Sequence, residues 1–425
     1  MDEHNIIVGL DIGTTKIACI VGRKNEDGKI EILGMGKSIS AGVLRGVVTN
    51  IDQTVQAIQE AVKLAEETSG VEIQVVNVGI AGQHIKSLQH HSMRVRDSAD
   101  QAITEEDLAL LIDDVYKIAL PAGEEIIHAI PQEFTIDQIP QIKDPVGMVG
   151  ACLEADLHVI TGDMRAIKNI HTCVEKAGLA IHQLILEPLA SADAVLTEEE
   201  REAGVAMVDI GGGTTDIAIF YDGIIRHTAV IPFGGNIITD DIKTGCGIIQ
   251  KYAEELKVRY GSAIVLPEHE AQVINIPGFT GRPPREISMK NLAAIINSRV
   301  EEIIEQVAYE IHNSGYANQL AAGIVLTGGG ADLKNIKQLF DYVTGMSTRI
   351  GFPAEYLEKT KTREEHLHPK FSTGVGLMLK NIASTREVGK KQMLNIKPKK
   401  RVGETNFLVH KIKGLLNAFI SEDLK

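Results

Sequence analysis

Two segments far apart in the chain carry the same pattern. Residues 8–22 read VGLDIGTTKIACIVG, and residues 206–223 read AMVDIGGGTTDIAIFYDG. Each opens with an apolar run ending on an aspartate, Asp11 or Asp209, then passes through a Gly/Thr cluster into a second apolar run. That succession predicts a β-hairpin. Glycines let a backbone approach an anion and aim successive N–H groups at it, and threonine hydroxyls add donors. An aspartate at the strand end suits Mg²⁺ held through water, because that ion dehydrates reluctantly. One such turn is only a tight hairpin. Two, in separate halves of the chain, predict two lobes clamping a polyphosphate. No Walker-type loop competes, since Glu31 stands where Gly36-Lys37-Ser38 would need the first glycine of that motif.

Further segments supply the walls of such a cleft. Leu186 to Ala192, with Glu187 and Pro188 at its head, predicts a helix lining it. Ile324 to Thr327 reads as a strand, and Gly328, Gly329 and Gly330 after it form a turn against which a flat ring can lie. Glu254 and Lys257 share a face of one helix. Gly374-Val375-Gly376 sits in a helical stretch where small residues permit close packing between lobes.

Composition narrows the function. A chain of 425 residues exceeds what one core usually serves. Aromatic residues make up 4% and Trp is absent, which argues against a base-stacking surface and hence against nucleic acid. Cys19, Cys152, Cys173 and Cys246 are scattered without a CxxC pair, so neither a disulfide frame nor a zinc site is expected. Asp2, Glu3 and His4 before the first apolar run do not read as a secretory signal. No stretch approaches the ~20 apolar residues of a membrane span. The net charge is −14, yet residues 390–425 hold nine Lys/Arg against three Asp/Glu.

With these residues in hand, the chain resembles the sugar kinase, DnaK chaperone and actin superfamily over residues 6–384. The resemblance implies an α/β, actin-like, two-lobed ATPase fold binding ATP and Mg²⁺. Asp11, Gly13, Thr14, Thr15 and Lys16 match the first phosphate motif, and Asp209, Gly211, Gly212, Gly213 and Thr214 the second. Gly235, Glu254, Lys257 and Gly328 to Gly330 fall to the nucleoside side. Asp11 and Asp209 are the implied Mg²⁺ partners through water. Glu187, which matches the acid that positions the attacking water, and Asp209 are the implied catalytic residues of at most a slow ATPase.

Residues 85–164 single out one branch. Ile130-Pro131-Gln132-Glu133-Phe134, Asp144-Pro145-Val146-Gly147-Met148 and the approach Val78 to Ile85 resemble the insertion of the FtsA family of bacterial cell-division proteins. The expected organisation is a first lobe core at 1–84 and 165–198, with an inserted subdomain at 85–164. A second lobe core follows at 199–241 and 320–384, with an outer subdomain at 242–319. A long helix is expected from about Ser288, with Leu292, Ile296, Val300, Ile303, Val307 and Ile311 as its buried stripe and Gly315 at its end. In that family the outer subdomain receives the carboxyl-terminal peptide of FtsZ, and Lys290, Asn291 and Arg299 are the candidate contacts.

The carboxyl-terminal segment reads differently. Residues 386–401 hold seven Lys/Arg and one acid and read as a flexible basic linker, placed at 385–405. Over 406–420, Leu408, Ile412, Leu415, Leu416, Phe419 and Ile420, together with Val409, fall in one arc of about 140°. His410, Lys411, Lys413 and Asn417 take the remainder. That is the pattern of a helix lying in a membrane interface on an anionic surface, and the family resemblance implies a membrane-targeting helix there. The function expected is an ATP-binding protein at the cytoplasmic face of the cell membrane at the division site. It would form filaments, anchor the FtsZ ring and recruit later division proteins. A small-molecule kinase of the same superfamily is the alternative, and gives no reason for the tail. A DnaK-like chaperone lacks its substrate domain.

Overall fold

The computed structural model describes residues 6–24, 29–277, 283–353, 357 and 368–383. The linker expected at 385–405 and the amphipathic helix expected at 406–420, with Leu408, Ile412, Leu415, Leu416, Phe419 and Ile420, lie outside the described residues.

Both repeats fold as hairpins, and each hairpin opens a five-stranded sheet of the same topology. The first sheet has the spatial order Ile30–Ile39, Lys16–Lys24, Ile6–Ile12, Val75–Ile80, Ala180–Leu186. The second has the order Ile224–Ile231, Thr215–Tyr221, Val205–Ile210, Gly323–Thr327, Thr348–Ile350. In each, three antiparallel strands are followed by two that join in parallel. Parallel neighbours need crossovers. Helices Ile51–Ser69 and Met164–Lys176 precede the parallel strands of the first lobe, and helices Met289–Asn313 and Ile336–Thr344 those of the second.

The lobes differ in where they are interrupted. In the first, the interruption falls between the two parallel strands, after Ile80; in the second it precedes both, between Ile231 and Gly323. The first interruption folds as an antiparallel sheet in the order Lys86–Val95, Cys152–Asp163, Glu124–Ile136, Ile139–Ile142. Helix Glu105–Val115 packs on it, started by a capping box between Thr104 and Asp107. Ile103, Leu111, Phe134, Leu153 and Leu157 form a core of its own.

The second interruption is mainly helical. Helix Gly235–Cys246 runs through the 241/242 boundary expected from the sequence. Ser288 caps the long helix Met289–Asn313 by accepting a bond from the Asn291 N–H. The stripe from Leu292 to Ile311 is at most 1% exposed. Burying each such side chain is worth ~1.5–3 kcal/mol.

Two helices cross between the sheets, Glu187–Val195 and Ser372–Ala383. Their approach is so close that a Cβ on Gly376 would stand 1.7 Å from the Ala190 carbonyl oxygen. Around them Ile20, Leu189, Val205, Met207, Phe371 and Val375 form a core drawn from both lobes. The lobes are therefore joined by an apolar hinge. Among the described residues no helix is long and apolar enough to cross a membrane.

Candidate functional site

A cavity of about 340 Å³ lies between the two hairpin turns. It is lined by Asp11, Gly13, Thr14, Thr15 and Lys16 of the first turn and by Asp209 and Gly211 to Thr214 of the second. Glu187, Gly235, Glu254, Lys257 and Gly328 to Gly330 complete the residues singled out from the sequence, and all of them reach it. The turns meet across the cavity floor. A Cβ on Gly212 would fall 1.9 Å from Thr15 Oγ1, and one on Gly213 2.4 Å from Thr14 Oγ1. Glycine is needed here for close approach between lobes as much as for an anion.

The electrostatics are lopsided. Asp11 and Lys16 form an ion pair at 2.8 Å within the first hairpin. In the second, the register sets Asp209 directly opposite Asp216. Both are buried, and like charges directly opposite in an antiparallel pair are destabilising. Asp209 Oδ2 accepts from Ser191 Oγ at 2.7 Å and from Thr373 Oγ1 at 3.2 Å. Thr214 Oγ1 donates to Asp216 Oδ2 at 2.9 Å, while Asp216 Oδ1 has no hydrogen-bond partner. Burial, with Asp209 beside it, pushes the Asp216 carboxyl up to about 8. Burial likewise raises Asp209, against the bond from Ser191. Glu187 faces the cavity from the first turn of its helix. Its enclosure by protein, and then the charges of Asp11, Asp216 and Asp209, raise it well above the ordinary carboxylate range.

Four acidic side chains thus gather on one side of the cavity, where Lys16 is paired with Asp11; Lys257, Lys334 and Lys370 line it elsewhere. That donor set fits a hard divalent cation. Among the described residues no three His, Cys, Asp or Glu side chains stand close enough to hold a metal directly. An ion here would therefore keep water in its shell.

The nucleoside side shows what side chains already hold one another. Lys257 Nζ contacts Gly235 O at 2.9 Å, Thr239 Oγ1 at 2.7 Å and Glu254 Oε2 at 2.7 Å. All three of its donors are used. Lys257 therefore ties its helix to the start of helix Gly235–Cys246, and the half-exposed Glu254 is the freer of the two. Gly328 has φ +83°, and a Cβ there would stand 2.1 Å from Asp209 Oδ1. One on Gly330 would meet Ile210 Cγ2 at 2.3 Å, so these two glycines seat the turn against the second hairpin. Gly329 is the open one, with Lys370 Cβ 3.8 Å away.

Several lining residues were not singled out from the sequence: Asn236, Asp332, Lys370 and Thr373. Asp216 was legible, because a hairpin with Asp209 on one arm places it opposite on the other. Lys370 and Thr373 carry no such signal; they depend on the entry of helix Ser372–Ala383. Gly46 is another, and its N–H donates to Thr14 Oγ1 at 3.1 Å.

Lys290, Asn291 and Arg299 lie far from this cavity along the chain's outer helix. Lys290 Nζ pairs with Glu270 at 2.7 Å, and Arg299 pairs with Asp241 at 2.5 Å and with Glu302. Nine residues separate the two cations, about two and a half turns, so they point to opposite sides of the helix. Arg299 is half-buried and turned toward helix Gly235–Cys246 through its pair with Asp241.

Twin five-stranded sheets on a shared hinge, with a glycine-walled cavity between their first hairpins, define an actin-like two-lobed protein. Solved structures agree on the fold. The PilM–PilN type IV pilus biogenesis complex aligns with a TM-score of 0.65 at 16% identity, over 88% of this chain and 98% of that one. MreB5 of Spiroplasma citri bound to ADP aligns at 0.54 and 16%, over 91% and 100%. The sequence is more specific. Residues 206–376 match the family described as cell division protein FtsA, and residues 82–161 the SHS2 domain inserted in FtsA. Cell division protein FtsA of Pseudomonas aeruginosa is 42% identical over 380 residues, 89% of this chain and 90% of that protein. That of Escherichia coli K12 is 38% identical over 383 residues, 88% and 90%. The chain belongs to the FtsA family of cell-division proteins.

Proposed function

We propose that this protein binds ATP with Mg²⁺ between its lobes and, in that state, polymerises on the membrane and tethers the FtsZ ring to it. The observation that carries the nucleotide reading is the cavity itself: two glycine–threonine turns converge beside the buried side chains of Asp11, Asp209 and Asp216. The backbone N–H groups of the turns and the hydroxyls of Thr14, Thr15 and Thr214 are the phosphate donors. Asp11, Asp209 and Asp216 would hold Mg²⁺ through water, and the ion would supply the charge that offsets both carboxylates and phosphates. Gly329 offers a flat wall to the base, and Glu254 an acceptor to the sugar. Glu187, enclosed and beside that cluster, is the group to orient a water for slow hydrolysis, with Asp209 as its neighbour.

The remaining parts of the reading rest on sequence and family. The apolar stripe of Leu408, Ile412, Leu415, Leu416, Phe419 and Ile420, next to a basic linker, suits an anionic membrane surface. The outer subdomain is the proposed seat of the FtsZ carboxyl-terminal peptide. Lys290 and Asn291 stand at its accessible side, whereas Arg299 would first have to leave Asp241. Filament partners and later division proteins complete the assembly at the cytoplasmic face of the inner membrane.

Calorimetry tests the core of this proposal. Wild type should bind ATP only weakly without Mg²⁺, and Asp209→Ala should lose the Mg²⁺ dependence. Equal ATP affinity in both proteins, with and without the ion, would remove the cavity assignment. Electron microscopy on an anionic lipid monolayer with ATP tests the rest, since truncation after Thr405 should abolish filaments there.

A further inference from the structure

By chain path the inserted subdomain belongs to the first lobe, yet its sheet also lies against the second. Strand Ile224–Ile231 is the edge of the second sheet, so one row of its carbonyls has no neighbouring strand. Side chains of the inserted subdomain take up that row. Ser87 Oγ donates to Thr228 O at 3.2 Å, Gln89 Nε2 to Arg226 O at 3.4 Å, and Gln132 Nε2 to Ile225 O at 2.5 Å. His158, 1% exposed, meets Thr228 Oγ1 through Nε2 at 2.9 Å. Two ion pairs flank the seam, Glu133 with Arg226 at 2.8 Å and Lys143 with Asp222 at 2.7 Å.

Both sides of this seam lead directly to the cavity. Just beyond Ile231 the chain reaches Gly235, which lines the cavity and whose N–H donates to Gly211 O at 2.8 Å. On the first lobe, Ala81 lines the cavity and is followed within a few residues by strand Lys86–Val95, which carries Ser87 and Gln89. Any change in the separation of the two turns must therefore shift Ser87 and Gln89 against Arg226 and Thr228. The polar contacts suit a joint that opens: although Ile225, Thr228 and His158 are buried while the seam is closed, each hydrogen bond exchanges for water at a net cost of only ~0.5–1.5 kcal/mol once water enters.

We propose that the inserted subdomain is a latch between the lobes: its polar seam with strand Ile224–Ile231 is made when nucleotide closes the cavity and released when the lobes part. Nucleotide state is thereby transmitted to the outer faces of the inserted subdomain. The proposal rests on the nucleotide reading of the cavity.

Release of a fluorescent ATP analogue with Mg²⁺, followed by stopped flow on the full chain, tests it. Gln89→Ala/Gln132→Ala removes two bonds of the seam and should speed release roughly five- to thirtyfold. Lys143→Glu places a repulsion on the exposed rim, where folding is not at stake, and should speed release about two- to fivefold. In the wild type, ATP with Mg²⁺ should slow amide exchange of Ile224–Ile231 and Lys86–Val95 together. The thermal midpoint separates a loosened latch from a damaged fold; if the double variant is damaged, Lys143→Glu decides. Tight binding with unchanged release in the folded variants, or exchange that ignores nucleotide, overturns the latch alone. If the wild type binds no analogue, the cavity reading falls and the latch falls with it.

Discussion

The two hairpins that open the lobes share a sequence pattern and a fold, but their charges are arranged oppositely. The first neutralises itself: Lys16, just past the turn, reaches back to Asp11. The second has Thr214 at the matching place in its turn, and two residues on, where the first has Ala18, it adds Asp216 opposite Asp209. One turn is electrostatically complete without a ligand, and the other is not. The same scaffold thus holds two charge arrangements: the first hairpin pairs its aspartate with a lysine, and the second sets two aspartates face to face.

The largest expected effect comes from removing the contact that lets the two turns meet. Gly212→Val should weaken ATP binding about a hundredfold by overpacking against Thr15, measured by calorimetry. Binding near the wild-type value would mean that the turns need not meet. Next, Asp216→Asn should reduce the gain in ATP affinity due to Mg²⁺ about tenfold, the scale of one charged contact at ~1.4 kcal/mol. It should also raise the thermal midpoint of the nucleotide-free protein by relieving Asp209. A fall in the midpoint would show that the pair is not in conflict.

The pH dependence sharpens the contrast. The Asp216 carboxyl is held up at about 8 in the folded protein, whereas an unfolded aspartate titrates near its ordinary value. Between roughly pH 4 and 8 the folded state binds the extra proton, so stability without nucleotide should fall as pH rises through that window. Asp216 alone contributes at most ~1.4 kcal/mol per pH unit, and Glu187 and Asp209, also raised, add in the same direction. Denaturant titrations at several pH values should show the slope, and Asp216→Asn should reduce it. The smallest effect belongs to the first hairpin. Lys16→Gln should cost no more than ~1 kcal/mol of stability, because the lysine is partly exposed, while making the first turn, like the second, depend on Mg²⁺.

Much of this was legible in the sequence because it is written in local chemistry. Asp-Ile-Gly-Thr-Thr and Asp-Ile-Gly-Gly-Gly-Thr-Thr-Asp are hairpins on turn chemistry alone, and the Leu292 to Ile311 stripe is a core face on helical period alone. Other features turned on partners remote in sequence. Lys257 lines the cavity, and its contacts to Gly235, Thr239 and Glu254 could not be read from the sequence. Lys290 and Arg299 were both named as candidate peptide contacts, and their ion pairs with Glu270 and Asp241 could not be read from the sequence. The docking of the inserted subdomain on strand Ile224–Ile231 had no residue signature, because the acceptors there are backbone carbonyls that every residue possesses.

The crossing of helix Ser372–Ala383 over the first sheet has a consequence for biosynthesis. Gly9 lies so close to this helix that a Cβ there would stand 2.6 Å from Gly374 O, and Asn77 Nδ2 donates to Leu377 O across 300 residues of chain. The first lobe is therefore translated early and finished last. At ~5–20 residues per second, the wait between Asn77 and Leu377 is roughly 15–60 s. Throughout it, apolar surface of the first lobe, including Ile20, lacks its cover. A chain truncated before helix Ser372–Ala383 would expose the same surface permanently.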